Sequence, residues 1–469
     1  METYTPHQEQ EPLDSKWHKE LQKLDIVDGN YLALDKEYML QQKEAFFDGT
    51  IVNPELKYPK IDTGKCMKKI IALFDLKDRI KKEETNEAVK ALYIFIINEK
   101  IVTWSMLLET AENNGRMYTR YSSFVNGIPD RQIFTYTIRT LREKIEQDKE
   151  SENEEIKLAA SQLAKLLPQV EDIKIPESSD KKEIKQPDEQ TKEVAISHTQ
   201  TTLKKLLDTV DDFKKEESHN YTPEEIKTVF EAALLSIEAE GWTVILTDGA
   251  SRTINVDQKR KKITVPKGRK YRITLFEKLK SLVAHEIGTH VQRRVKAQRS
   301  KLLLLETGLD RYLKGEEGVA TMRDQTSIKK IDDFAGLDGH LAVSLAYGLD
   351  GKPRDFREVY TILERYKYYD NLKNKKMSKE QAREQAKEEA WDRVIRTFKG
   401  TDGKTKGACN TTTIIYREGN IETWNLISEN NKTMLTFNIG KFDPSSDRHI
   451  MALMQLGIID EDLKELGIT

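Results

Sequence analysis

Several features are scarce in this chain of 469 residues, and each absence narrows the class of protein. Only two cysteines are present, Cys66 and Cys409, so a disulfide framework is excluded and a reducing, cytoplasmic location is expected. Neither sign of charge dominates, because 77 basic and 79 acidic residues leave a net charge of −2. A chain without a basic excess lacks the field that draws proteins to nucleic acids, so we expect no nucleic-acid partner.

Long hydrophobic runs are also missing. The longest wholly apolar stretches, such as residues 91–97, are far shorter than the roughly 20 residues that span a bilayer. The first twelve residues contain neither the basic nor the apolar region of a secretory signal. The sequence therefore predicts no membrane partner.

The residues that are present divide the chain into four parts. Residues 1–30 are polar and predict a loosely docked tail, whereas 31–147 have the apolar spacing of an all-helical N-terminal part. Residues 148–200 predict a charged linker or exposed excursion, because charge and proline are concentrated in 171–195. Residues 201–469 are expected to form the core with a C-terminal elaboration, and this core contains the HExxxH motif. The helices expected in the second part are 64–80, 86–97, 101–112 and 132–145.

Short runs of β-branched residues lie before the HExxxH motif in the sequence. A capping box at Thr222 with Glu225 opens a helix, and a second box at Thr274 with Glu277 opens another. Between these helices the pattern predicts a small antiparallel meander, and a later strand is expected at 411–416. The expected strands of the meander are 242–246, 253–256 and 262–266.

The second of these helices contains an HExxxH motif, formed by His285, Glu286 and His290. Two imidazoles with a glutamate after the first are typical of a zinc site in which the carboxylate acts as general base. Residues five apart lie about 140° apart on a regular helix, so both rings cannot face one metal. One π-type turn would restore a common face, and Gly288 favours it. The simpler alternative is a pair of structural histidines.

A zinc site needs a third ligand, and two glutamates follow in the sequence. Glu316 and Glu317 are about 100° apart on a helix, so only one can face the metal, and spacing does not decide which. Asp324 lies two turns after Glu317 and could orient a histidine. We favour the simpler interpretation that Asp324 is an exposed acid.

These motifs resemble a known family, the tyrosine carboxypeptidases that act on microtubules. Its bacterial relatives are known by a QEGLA motif and named as modulators of flavohaemoglobin expression. The resemblance covers about residues 31–457 apart from the charged segment. Beside the HExxxH and EEGVA segments, the matching elements are 53–58 with NPxFxY, 126–129 with YGxP, 341–363 with a helical pair, 396–400 with RxxRG, 416–419 with YxxG, and 439–441 with a GK element.

The resemblance implies specific roles. His285, His290 and Glu317 would be the zinc ligands and Glu286 the catalytic acid/base, with the N-terminal helices packed around one catalytic unit. The chain departs from the family after the metal helix, where it lacks Gln-Pro-Trp, and before Tyr416, where it has two threonines in place of Lys-Asp. Both departures concern the substrate pocket and a preference for C-terminal tyrosine.

Together these observations predict an α+β, zincin-like metallopeptidase, mostly helical, with a small antiparallel sheet beside the active-site helix. The resemblance implies a carboxypeptidase with Zn²⁺ as cofactor; a metalloendopeptidase and a non-catalytic binding protein are the alternatives. Arg396 is the candidate partner of a substrate carboxylate, with an ordinary surface salt bridge as the alternative. Tyr416 is the candidate donor to the developing oxyanion, and a buried structural tyrosine is the simpler interpretation. The expected partner is a peptide or protein C-terminal tail of acidic character, since basic residues cluster in 259–262 and 267–272. A solvated hairpin tip is the simpler interpretation of that cluster.

Overall fold

The computed structural model describes residues 11–24, 32–175, 184–248, 253–268, 273–375 and 377–465. The described chain is mostly helical and contains one small sheet, which confirms the α+β class. The helices of the first half are α1 (Ser15–Lys23), α2 (Lys36–Phe47), α3 (Thr63–Glu83), α4 (Glu87–Ala111), α5 (Gly115–Asn126), α6 (Arg131–Asp148), α7 (Glu154–Ala164), α8 (Glu189–Thr202), α9 (Lys204–Asp211) and α10 (Pro223–Ser236).

The sheet and the remaining helices follow. The strands are β1 (Thr243–Thr247), β2 (Asn255–Asp257) and β3 (Lys262–Pro266). A π-helical turn, Glu286–Val291, joins α11 (Phe276–His285) to α12 (Gln292–Ala297). The later helices are α13 (Leu304–Thr307), α14 (Tyr312–Ser327), α15 (Leu337–Tyr347), α16 (Phe356–Lys373), α17 (Lys379–Phe398), α18 (Ile414–Glu429), α19 (Asp447–Gln455) and α20 (Ile458–Glu465).

The long helix α4 replaces two predicted helices, 86–97 and 101–112, because no residue between them interrupts the helix. By length and composition, α4 is the single described helix that could cross a membrane. Its buried side chains, including Tyr93 and Trp104, pack in a hydrophobic core with α3. A buried core helix of a globular protein meets the same criteria, so α4 is only weak evidence for a membrane span.

Two predicted flexible segments contain packed helices. Within 1–30, the described residues include α1, whose Trp17 is buried and donates through Nε1 to Glu84 at 2.6 Å. Within 148–200, α7 buries Ala159 and Leu163, and α8 buries Ala195 against other helices. The predictions of a loose tail and of an exposed excursion are therefore wrong for these helices. Their few apolar side chains lie on one helix face, and this suffices for packing despite the high charge.

The sheet is mixed, so the predicted antiparallel meander is wrong. Strand order is β1-β3-β2, with β3 antiparallel to β2 but parallel to β1. Ile263 and Val265 of β3 are fully buried, whereas β2 is short and carries Asn255 and Asp257. The most apolar strand therefore occupies the centre, and the polar strand forms an edge.

Two further local predictions are corrected. Thr274 does not cap α11; its N–H donates to Asn220 and its carbonyl accepts from Tyr221 N, so it ties the helix entrance to the preceding loop. The predicted strand at 411–416 is a turn that leads into α18. Thr411 donates from its backbone N–H to Ser122 Oγ at 2.9 Å and has no strand partner, so β-branched residues alone do not make a strand here. The capping box at Thr222 is confirmed.

The N-terminal helices share hydrophobic cores with the C-terminal part. One core joins Phe46 and Phe134 to Phe356 and Trp391. A second joins Trp104 of α4 to residues 297–309 and to α19. A third packs α9 and α10 against the sheet and α11. The described helices are thus built into one structure around α11 and α14.

Candidate metal centre

The HExxxH segment lies where α11 changes into the π-helical turn. The imidazole rings of His285 and His290 have centroids 5.1 Å apart, with an angle of 70° between their planes. The extra residue of the turn rotates His290 onto the face of His285. The predicted π-type turn is therefore confirmed, and with it the common face of the two histidines.

Side chains from neighbouring helices hold the π turn in place. Gly288 packs against Leu203 and Leu206, where a Cβ atom would lie 2.9 and 3.1 Å from their methyl carbons. Thr289 Oγ1 donates to the Ala284 carbonyl at 3.2 Å, and the buried guanidinium of Arg323 donates to the Gly288 carbonyl. A widened turn disturbs the regular hydrogen bonding of a helix, and these two donors satisfy one carbonyl just before the turn and one within it.

The third ligand candidate is carried by α14, which packs closely on α18. A Cβ atom on Gly318 would lie 2.3 Å from the Gly419 carbonyl, and one on Gly419 would lie 2.2 Å from the Lys314 carbonyl. The two helices can approach this closely only because both positions are glycine, which has no Cβ atom. The close contact fixes α14 beside the metal helix, with Glu317 facing it.

Three side chains converge at this point. Glu317 Oε2 lies 3.5 Å from His285 Nε2, and Glu317 Oε1 lies 3.8 Å from His290 Nε2. The possible ligand atoms of these three residues are all within 4.8 Å of one another. The geometry therefore brings Glu317 to the histidines as a ligand candidate, which spacing alone left open.

The other nitrogen of each ring faces a different carboxylate. His285 Nδ1 is 3.1 Å from Asp324 Oδ2, and His290 Nδ1 is 2.6 Å from Glu316 Oε1. Because a carboxylate only accepts, each Nδ1 carries the hydrogen and the lone pair of a neutral ring lies on Nε2. The interpretation of Asp324 as merely an exposed acid is wrong, because it orients His285.

The charge of Glu316 is balanced from the side away from the histidines. Arg293 Nη1 lies 3.7 Å from Glu316 Oε2, and the buried Lys441 is close by. Burial alone would raise the pKa of Glu316, but Lys441, His290 and Arg293 outweigh it and lower the pKa to about 2. Burial in turn lowers the pKa of Lys441 to about 8. Glu316 thus remains an acceptor for His290.

The residues present fit a divalent cation. Glu317 Oε2 is buried and makes no hydrogen bond, although two imidazole lone pairs point toward the same carboxylate. Burial opposes protonation of His285, yet the carboxylates of Asp324, Glu317 and Glu286 raise its pKa well above the usual value. This excess of negative charge is what a bound cation offsets, and two histidines with one glutamate are among the ligand sets that hold catalytic zinc in proteins.

Glu286 lies at the start of the π turn, directly after the first histidine, and is half-buried. Burial raises the pKa of Glu286, and the nearby histidines lower it. The carboxylates of Glu317 and Asp324 raise the pKa further, so the net shift is upward. A carboxyl group with a raised pKa beside a ligand cluster is suited to accept and return a proton.

Tyr416 lies near the same site, and Arg396 lies near Tyr416. The charge of Glu317, then burial and Glu286, raise the pKa of Tyr416, while Arg396 and Arg393 oppose the shift. Arg396 is exposed. Arg393 is half-buried and held by Asp338, with Nε and Nη2 each 3.2 Å from Oδ2. Sequence reasoning missed Arg393, although it lies one helical turn before Arg396.

The other singled-out residues lie elsewhere. His340 is fully buried, 3.2 Å from Glu418, as expected of a packing residue, and both cysteines are buried free thiols. In the basic cluster, Arg260 pairs with Asp257 and Lys267 with Asp248, as in a solvated hairpin. Residues 269–272 lie outside the described part of the chain.

No protein-family model matches the chain, and a search of curated proteins finds no match. The fold and the site by themselves define the class: an α+β protein with a buried His-His-Glu cluster of metal-binding geometry. Besides Arg393, sequence reasoning missed Arg293 and Arg323, which support the site. Their contacts join segments far apart in the chain, and no local pattern signals them.

Proposed function

We propose that this protein is a zinc metallopeptidase that hydrolyses peptide bonds, and that it acts as a carboxypeptidase. The observation that carries the first part is the convergence of two imidazole Nε2 atoms on one carboxylate, with both Nδ1 atoms bonded to other carboxylates. The resemblance to tyrosine carboxypeptidases supports the second part, and C-terminal tyrosine is the residue it suggests for release.

The residues of the chain divide the chemistry among them. His285, His290 and Glu317 would hold the zinc ion, which supplies Lewis-acid polarisation and acidifies water. Glu286 accepts the proton of the attacking water and returns it to the leaving amine. Tyr416, whose hydroxyl feels the charges of Glu317 and Glu286, would donate to the developing oxyanion. Arg396 and Arg393 supply the positive charge that a free substrate carboxylate needs.

Two other functions compete with this proposal. A metalloendopeptidase would use the same zinc chemistry without recognising a terminal carboxylate. A non-catalytic binding protein would keep the fold but would not need Glu286 beside the ligands, so the intact carboxylate favours an enzyme.

The test of zinc hydrolysis uses the Glu286→Gln variant. Glutamine cannot accept the proton, whereas the ligand residues are untouched, so zinc content should stay near one per chain while peptide hydrolysis falls by about 10² to 10⁴. Elemental analysis and mass spectrometry of a peptide library measure both quantities. Retained turnover would assign the base elsewhere, and a chain that holds no zinc would end the proposal.

The test of carboxypeptidase action compares peptides with free and amidated C-termini. Amidation removes the charge that Arg396 and Arg393 would bind, so cleavage by the wild type should fall sharply. Arg396→Ala should lower kcat/KM for the free peptide by a factor equivalent to about 2–4 kcal/mol of transition-state stabilisation. The difference in cleavage rate between the free and the amidated peptide should therefore become smaller. Equal cleavage of both forms by the wild type would favour the endopeptidase.

A further inference from the structure

A groove beside α5 lies apart from the residues of the metal centre. It has a volume of about 700 Å³ and lies between α5, the end of α15 and the segment before Ala408. Its floor and walls are mostly apolar or aromatic. The apolar lining residues are Val102, Tyr121, Phe124, Ile128, Tyr347 and Pro353.

Part of this lining is unusually exposed. Phe124 has 44 % of its surface accessible, although the Arg311 guanidinium lies 4.9 Å from its ring centroid, and Ile128 has 60 % accessible; both line the groove at the C-terminal end of α5. Neighbouring large apolar side chains left open on a soluble protein mark a surface that another group covers.

The charge of the groove has one sign. Arg116, Arg120 and Lys406 line it, and no acidic residue does. Lys406 pairs with Glu358, but among the described residues no carboxylate forms an ion pair with Arg116 or Arg120. Both arginines lie one turn apart on the exposed side of α5. Two unneutralised guanidinium groups over an apolar floor are complementary to carboxylates that flank a large apolar side chain.

We propose that this groove binds an acidic peptide segment that carries one aromatic or large aliphatic side chain. The apolar side chain would occupy the floor formed by Phe124, Ile128 and Tyr347, and the flanking carboxylates would pair with Arg116 and Arg120. This binding needs neither the zinc ligands nor Glu286, so it stands independently of the proposed hydrolysis.

The test measures fluorescence anisotropy of a fluorescein-labelled peptide of glutamates around a single phenylalanine. The wild type and Glu286→Gln should bind it equally, because the groove does not include the metal centre. Replacing the phenylalanine by glycine, or the glutamates by lysines, should weaken binding by about tenfold or more, and salt should weaken the original complex. Equal binding of all three peptides would overturn the proposal.

Variants of the groove locate the binding. The double variant Arg116→Glu/Arg120→Glu and the single variant Phe124→Ser should each weaken binding by about tenfold or more. Both change exposed side chains, and unaltered melting curves would show that the fold is intact. The matched control is Arg139→Glu, an exposed arginine of α6 outside the groove, which should bind as the wild type does.

Other occupants would give different results. If the double variant binds the peptide normally but no longer binds vesicles that contain phosphatidylserine, the groove faces a membrane instead. If it changes only a concentration-dependent self-association seen by light scattering, a second copy of the chain covers the groove. Either result would overturn the peptide proposal without affecting the zinc chemistry.

Discussion

Glu316 and Glu317 are adjacent residues with different tasks, because 100° of helix rotation separates them. Glu317 faces the Nε2 atoms of both histidines, whereas Glu316 accepts from His290 Nδ1 and is flanked by Arg293. One carboxylate is therefore placed as a ligand and the other as the residue that orients a ligand. The negative charge of Glu316 is matched on the protein side, so the charge of Glu317 is left for a cation.

This difference predicts a ranking of zinc affinities. Glu317→Gln should lose zinc most severely, because an amide replaces a charged ligand. Glu316→Gln should be mild, since its amide oxygen can still accept from His290, and Glu316→Ala should weaken affinity by about 10- to 100-fold. Competition with a fluorescent chelator measures all three. If Glu316→Gln released zinc as readily as Glu317→Gln, the two roles would have to be exchanged.

At this scale the sequence predicts a good part of the site. His285, Glu286 and His290 form a local motif, and two-turn spacing places Asp324 on the face of Glu317. Which of the two glutamates faces the histidines depends on how α14 is rotated about its own axis, and the packing of α14 on α18 determines that rotation. Arg323 could not be foreseen, because its hydrogen bond to Gly288 spans 35 residues in the chain.

Among the elements, the π turn matters most for the site. It depends on Gly288, which allows Leu203, between α8 and α9, and Leu206 of α9 to approach, and on the buried Arg323. Burial lowers the pKa of Arg323 to about 9, so its charge persists at neutral pH. The sequence predicted the turn from the five-residue spacing of the histidines. The sheet was predicted less well, because strand order depends on which strand the surrounding core buries.

The turn gives a prediction with a matched control. Gly288→Ala places a Cβ atom against two buried leucines and should lower the free energy of unfolding by about 1–3 kcal/mol, with weaker zinc binding. Gly64→Ala, near the start of α3, meets no atom closer than 3.4 Å and should be neutral or slightly stabilising. Urea unfolding and zinc retention measure the two effects. A Gly288→Ala variant as stable and as zinc-bound as the wild type would show that the turn tolerates a side chain.

For the whole molecule, the N-terminal helices are structural parts of the core that holds the candidate metal centre. The buried carboxylate of Asp14, before α1, accepts from the backbone N–H groups of Leu303 and Leu304 at 2.8 and 2.9 Å. The hydroxyl of Tyr93 in α4 donates to it at 2.7 Å. One side chain therefore ties three distant parts of the chain together, including the segment that leads into α14. The polar N-terminal sequence does not predict this connection, since the residues that Asp14 contacts lie 79, 289 and 290 positions away in the chain.

This connection predicts that the protein unfolds as one unit. Asp14→Ala leaves two buried N–H groups and a buried hydroxyl without an acceptor, so the free energy of unfolding should fall by about 2–4 kcal/mol. Asp35→Ala removes an exposed cap of α2 and should cost only about 1 kcal/mol. Calorimetry and zinc release, followed together on heating, should show a single coincident transition that moves to lower temperature in Asp14→Ala. An early transition that leaves zinc bound would instead show that the N-terminal helices unfold separately, and the shared cores would then not couple them to the metal centre.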